Sequence, residues 1–278
     1  MILVPSSLTL SPFRYPGGKS WLIPVIKSWL KTFEKKPKYF VEPFAGGANI
    51  GLYVLAHNLV DGLILVEKDH HVATVWKTIL RNPEKLINQI RNFQPSLKNL
   101  KAKLTLEPQD KYTFAFQTLL KNRVSRGGVI ANGAGILKKG EAGRGVFSRW
   151  YPETLIKRIL RIHELSSKIA FIEGDGLQLL RSRYRFNRDA YFIDPPYSAL
   201  GKNAGKRLYN HYDLDHLALF QIAQKLKSKF IITYEDSAEI ENISRQHSFS
   251  CKTIFMKTSH HVRCRELVIS KNLNWLRS

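Results

Sequence analysis

The chain has 278 residues, 44% of them hydrophobic, with 44 Lys/Arg against 22 Asp/Glu and a formal net charge of +22. That length is enough for one large domain or two modest ones with a real core. An excess of cations this large exceeds what solubility needs and points to a polyanionic partner, with nucleic acid favoured over a membrane surface. No apolar run approaches the ~18 residues of a membrane span. Two cysteines, Cys251 and Cys264, build neither a disulfide framework nor a zinc site. No metal is expected, and a reduced cytoplasmic setting fits. Met1 to Leu10 is mildly apolar, without a charged start or a small-residue cleavage site, so no signal peptide is expected.

The first motif is Phe13-Arg14-Tyr15-Pro16-Gly17-Gly18-Lys19-Ser20. Pro-Gly-Gly makes a turn, and Ser20 is placed to cap a helix from Trp21 to Phe33. A phosphate loop would need glycine at position 13, where Phe stands, so this is not a triphosphate site. Tyr39-Phe40-Val41 then reads as a strand. It enters Glu42-Pro43-Phe44-Ala45-Gly46-Gly47-Ala48-Asn49 and a helix to about Ala56. Strand, glycine turn and helix form the opening unit of a nucleotide-binding α/β fold, although the dinucleotide pattern is absent. Leu63 to Val66 is a second strand, and Glu67 at its end stands where such folds receive ribose hydroxyls.

After Glu67 the alternation breaks. Helices are expected over His71 to Leu80, from Asn82-Pro83 to about Phe93, on to about Asn122, and over Pro152 to Leu165. Between Arg123 and Arg149 lies a glycine-rich basic stretch. From Lys121 to Glu164 ten Lys/Arg stand against three acids. A βαβ unit takes about 30 residues, so residues 81–165 read as an insert. Its Arg123, Arg126, Lys138, Lys139 and Arg144 are expected to face a phosphate backbone. Residues 1–80 and 166–278 make the remaining domain.

The alternation resumes at Ile169 to Ile172, followed by Gly174-Asp175-Gly176, with Asp175 expected at the strand's end. Ala190 to Ile193 is the fourth strand, ending in Asp194-Pro195-Pro196-Tyr197. The prolines fix two φ angles and remove two donors, leaving a stiff ledge of acceptors. Tyr212 to Lys227 reads as a helix and Phe230 to Tyr234 as a fifth strand. Phe249 to Met256 and Val262 to Ser270 read as a hairpin.

In a doubly wound sheet these strand ends share one edge. The glycine turn, Glu67 and Asp175 suit a nucleoside with a charged tail. With no phosphate site, that nucleoside is S-adenosylmethionine. The ledge suits an exocyclic amine. Asp194 and the Pro195 carbonyl accept its two N–H groups, and Tyr197 stacks on the base. Reaching such a pocket from a duplex requires base flipping.

Arg14 to Lys19, Glu42 to Gly47 and Asp194 to Tyr197, in that order and with an insert between the last two, resemble the Dam-type family of N6-adenine DNA methyltransferases. The resemblance covers nearly the whole chain. It implies a Rossmann-like α/β methyltransferase sheet, doubly wound, with an inserted, mainly helical target-recognition domain. It implies S-adenosylmethionine contacts at Tyr15, Lys19, Phe44, Gly46, Glu67 and Asp175, with Asp194 and Tyr197 at the target adenine. Double-stranded DNA is the expected partner, a cognate restriction endonuclease is compatible with it, and a monomer is favoured. Methylation of an RNA base, at guanine N2 or adenine N6, is the nearest alternative. A catalytically inactive nucleic-acid-binding relative is the second. A protein-glutamine methyltransferase would carry Asn at position 194.

Overall fold

Each apolar run becomes a strand of one seven-stranded sheet. The structure is a computed structural model and describes residues 9–14, 19–130, 135–137, 140, 143–196, 214–257 and 263–276. The strands are β1 Tyr39–Glu42, β2 Gly62–Glu67, β3 Ile169–Glu173, β4 Asp189–Ile193, β5 Lys229–Glu235, β6 Ser250–Lys257 and β7 Arg263–Ser270. Their order is β3-β2-β1-β4-β5-β7-β6. β1 to β5 are parallel, and β7 enters antiparallel between β5 and β6. The order reverses between β1 and β4, and in open α/β sheets the ligand crevice lies outside the strand ends at such a point.

Parallel strands covered on both faces read as near-continuous apolar runs. Their period of two still sorts the side chains. Phe40, Leu63, Leu65, Ala190 and Phe192 belong to one apolar cluster, while Val41, Ile64, Tyr191 and Ile193 belong to another. The first lies under α1 Ile23–Leu30, α2 Asn49–Ala56 and α3 His70–Arg81; α4 Glu84–Asn92, α5 Leu97–Thr105, α6 Lys111–Val124 and α7 Pro152–Glu164 extend it. The second lies under α8 Gly176–Arg183, α9 His216–Lys225 and α10 Ala238–Gln246. The doubly wound α/β class expected from the sequence is the architecture observed.

The described residues between 84 and 164 are helical where regular, and their buried apolar side chains join the sheet's cluster. Phe116, Leu119, Trp150, Ile159 and Ile162 share the cluster of Trp76 and Phe13, and α6 and α7 both pack on α3. The glycine-rich stretch is tied back to α6. Leu137 N–H donates to Val124 O at 2.9 Å and Arg126 N–H to Gly135 O at 3.1 Å.

Three local expectations are corrected. Ser20 does not cap a helix. A 3₁₀ turn, Ser20–Leu22, leads into α1 with no side-chain cap at either. Pro24 stands in the first turn of α1 and has no N–H to satisfy, which removes part of the need for a cap. Asp175 lies two residues beyond the end of β3 and caps α8 instead, accepting from Leu177 N at 2.7 Å and Gln178 N at 3.2 Å. The helix after the ledge begins at His216, capped by Asp215; Tyr212 and Tyr197 lie outside the described residues.

Candidate active site

The chain leaves β1 at Glu42 and turns through Pro43 to Ala48. Gly46 has φ +46° and Ala48 has the same value, so the turn is left-handed at two positions. Ala45 N–H reaches Val66 O at 2.9 Å, and Trp76 Nε1 donates to Gly46 O at 2.9 Å. Glu67 closes the turn from beneath. Its Oε2 accepts from Gly46 N at 2.8 Å and its Oε1 from Asp69 N at 2.8 Å. Burial pushes the Glu67 carboxyl up to about 7, against these backbone donors.

The turn is packed too closely for side chains. A Cβ at Gly176 would stand 2.2 Å from Pro43 O and 3.0 Å from the Phe44 ring. One at Gly47 would stand 2.5 Å from Ser11 Oγ. Gly176 therefore lets the start of α8 touch the turn, and Phe44 lies half-buried between them. Asp175, exposed on one side, has its Oδ2 3.7 Å from Lys68 Nζ. A carboxyl beneath the turn, a second beyond β3 and a half-buried ring beside them offer acceptors for hydroxyls and an apolar face for a flat ring, a set that suits the nucleoside part of the expected cofactor. Tyr15 lies outside the described residues.

Asp194 follows β4, next to β1, and is the best exposed member of a buried polar cluster. Thr233 Oγ1, on β5, donates to Asp194 Oδ1 at 2.9 Å. Lys19 Nζ lies 3.4 Å from the same oxygen and also pairs with Glu266 on β7. Lys19 is only 6% exposed. Burial alone would lower its pKa; the charges of Asp194 and Glu266 outweigh it and hold the ammonium above its ordinary value. The expected cofactor residue Lys19 is thus the residue that joins two carboxylates. Pro195 is buried and Pro196 half-buried.

Behind Asp194 lies a third carboxyl. Glu42 is buried, and its Oε1 accepts from Gly51 N at 2.6 Å. Burial pushes its carboxyl up to about 8, and the charge of Asp194 adds to the effect. Glu42, Thr233, Gly176 and Glu266 were not singled out from the sequence as site residues. The available signals were an acid ending a buried strand, at Glu42, and an acid directly before the apolar run Leu267 to Ile269, at Glu266.

The N-terminal motif is held by the end of α6. Asn122 is fully buried. Its Oδ1 accepts from Arg14 N at 2.8 Å, and its Nδ2 donates to Arg14 O at 2.7 Å and Gly128 O at 2.6 Å. Gly128 has φ +80°, and a Cβ there would lie 2.3 Å from Arg14 O. Arg123, expected on the DNA-facing surface, is buried instead. Its Nη2 donates to Pro12 O at 2.6 Å, while Arg158 Nη1 donates to Ser11 O at 3.2 Å. Burial, then the charges of Arg158, Arg14 and Arg149, pull the Arg123 guanidinium below its ordinary pKa. Arg126 and Arg144 are exposed; Lys138 and Lys139 lie outside the described residues. Among the described residues no group of three or more His, Cys, Asp or Glu is arranged to hold a metal ion. No helix among them is long and apolar enough to cross a membrane.

Comparison with known proteins adds the following. Residues 15–124 match the family model of D12 class N6 adenine-specific DNA methyltransferases. No curated protein matches the chain. Among solved structures, similarity extends to a provisionally assigned class I S-adenosylmethionine-dependent methyltransferase from Listeria monocytogenes, at 10% identity and a TM-score of 0.42 over 100% of this chain and 64% of that one. A provisionally assigned RNA methyltransferase from Pyrococcus horikoshii is similar at 13% identity and a TM-score of 0.41, over 97% and 91% of the two chains. M. capricolum TrmK, in complex with S-adenosyl-homocysteine, is similar at 11% identity and a TM-score of 0.40, over 91% and 69%. The family match runs from Tyr15 of the N-terminal motif through the glycine turn to the end of α6, and it agrees with the motif resemblance. That match spans 110 of the 278 residues, about two fifths of the chain.

Proposed function

We propose that the chain transfers a methyl group to the exocyclic N6 of adenine in a specific sequence of double-stranded DNA, with the base turned out of the helix. The observation that carries this reading is the position of Asp194. Its Oδ1 is fixed by Thr233 and Lys19 just past β4, the strand paired with β1. Neighbouring strands lie about 4.8 Å apart, so the acceptor ledge and the glycine turn are adjacent strand ends. A methyl donor on one and an amine on the other would be within reach of an in-line transfer, which is an orientation effect.

S-adenosylmethionine, when bound, supplies an electrophilic methyl on a sulfonium. The residues proposed to hold it are Tyr15, Lys19, Phe44, Gly46, Glu67 and Asp175. Glu67 keeps the Gly46 turn in its left-handed form and presents its carboxyl to a ribose hydroxyl. Lys19 is included through its place in the N-terminal motif, with its ammonium held between Asp194 and Glu266.

The adenine amine is a weak nucleophile because its lone pair is delocalised into the ring. Asp194 and the Pro195 carbonyl each accept one N–H from it. Acceptors out of the ring plane favour a pyramidal nitrogen with its lone pair toward the methyl. Asp194 then stabilises the positive charge that grows on N6, the preorganised electrostatic term that usually dominates catalysis. Pro196 stiffens the ledge, and Tyr197 is assigned the stacking role. Residues 81–165 are proposed as the recognition segment, with Arg126 and Arg144, and Lys138 and Lys139 from the same basic stretch, on the phosphate backbone.

The test is methyl transfer from labelled S-adenosylmethionine to DNA and RNA duplexes, followed by identification of the modified base. Label in N6-methyladenine of DNA is expected, lost by about a hundredfold or more in Asp194→Ala with DNA binding retained. Label confined to RNA, or near-normal turnover in the variant, would overturn the reading.

A further inference from the structure

We propose that Glu266 is a positioning residue for methyl transfer: it takes the charge of Lys19, so that Asp194 keeps its own negative charge for the base. This rests on the role given to Asp194 above. The cluster holds one ammonium between two carboxylates. Both Lys19 and Glu266 are sealed from solvent, at 6% side-chain exposure each, while Asp194 is 29% exposed. The closer contact of the ammonium is with Glu266, and Asp194 Oδ1 is the more distant at 3.4 Å. The carboxylate with the weaker hold on the ammonium is therefore the one that faces outward, at the ledge.

The sheet explains how a residue 247 positions away joins Lys19. β7 runs antiparallel to β5, pairing Val268 with Thr233 and Glu266 with Glu235. Glu266 and Val268, two apart, share a face. That is the face of the cluster containing Leu22 and Ile23, three and four residues after Lys19. Thr233 stands directly opposite Val268, so Glu266 and the hydroxyl that fixes Asp194 lie on the same side. Asp194 also acts on Glu42 and Tyr234, and burial holds both toward their neutral forms.

A buried ammonium needs a counter-charge. Without Glu266 it would turn further toward Asp194. An ion pair there would weaken the carboxylate as an acceptor for an amine and as a partner for developing positive charge. A merely structural Glu266 predicts something different: Glu266→Gln keeps its size and a carbonyl oxygen for Lys19, and should then change little.

The test compares Glu266→Gln with Glu266→Asp in single-turnover methyl transfer at saturating cofactor and DNA. The expectation for Glu266→Gln is a rate lower by about tenfold to a hundredfold, with both dissociation constants within about twofold. Glu266→Asp, which keeps the charge, should retain most of the rate. Equal rates for wild type and Glu266→Gln would overturn the proposal, as would equal losses in Gln and Asp variants, which mark a packing role. A second readout needs no substrate. The ¹⁵N signal of Lys19 Nζ should titrate at lower pH in Glu266→Gln than in wild type, and an unmoved midpoint counts against the proposal. If wild type modifies no DNA, the function proposed above fails while this titration still decides whether Glu266 carries the Lys19 charge.

Discussion

Glu42→Gln should stabilise the protein increasingly as pH rises. Glu42 titrates near 4.5 in an unfolded chain and is pushed up to about 8 in the fold, by burial first and by Asp194 next. A carboxyl raised in this way binds more protons folded than unfolded between those values. Its contribution to stability therefore falls as pH climbs through the window, and levels off above the folded pKa. At about 1.4 kcal/mol per tenfold change, the loss between about pH 5 and about pH 8 is roughly 3–4 kcal/mol. Glutamine keeps an oxygen for Gly51 N–H, now 2.6 Å from Glu42 Oε1, and has no charge to suppress. Urea unfolding of both proteins at several pH values measures the effect. Glu67 is raised too, to about 7, but it is common to both proteins and drops out of the difference. The stability difference should widen by that amount toward alkaline pH. A difference that stays constant across the range would refute the burial argument for Glu42.

Asn122→Ala removes the partner of three buried backbone groups and should cost about 2–4 kcal/mol in denaturant unfolding; a loss under about 0.5 kcal/mol would mean that the Arg14 contacts are replaced by water. Gly176→Ala drives a methyl to within 2.2 Å of Pro43 O and should weaken cofactor binding by about tenfold or more, read by calorimetry, together with a destabilisation of about 1–3 kcal/mol. Arg126→Gln with Arg144→Gln should weaken DNA binding and reduce the salt slope by about two, whereas an unchanged slope removes both from the interface.

The strands were legible because parallel strands buried on both sides need apolar residues without interruption, as in Leu63 to Val66. The ledge and the glycine turn were legible because prolines and glycines act locally. What was hidden depended on pairing across the sheet. Nothing near Glu266 announces that an antiparallel β7 beside β5 brings it to Lys19, and the same holds for Thr233 and Asp194. Arg123 was misjudged although its spacing carried a signal. Phe116, Leu119 and Leu120 recur at helical period on the buried side of α6, and Arg123 continues that row. Charge suggested a surface, and the free carbonyl of Pro12 made burial acceptable.

The Asn122 clamp has a consequence for protein engineering. One amide bonds both the N-terminal segment, through Arg14, and the Gly128 bend that opens the glycine-rich stretch. Residues 84–164 are therefore not a portable cassette. A chimaera that exchanged them for those of a relative would need to bring its own residues 11–14 as well, or leave a fully buried amide facing a backbone cut for another partner.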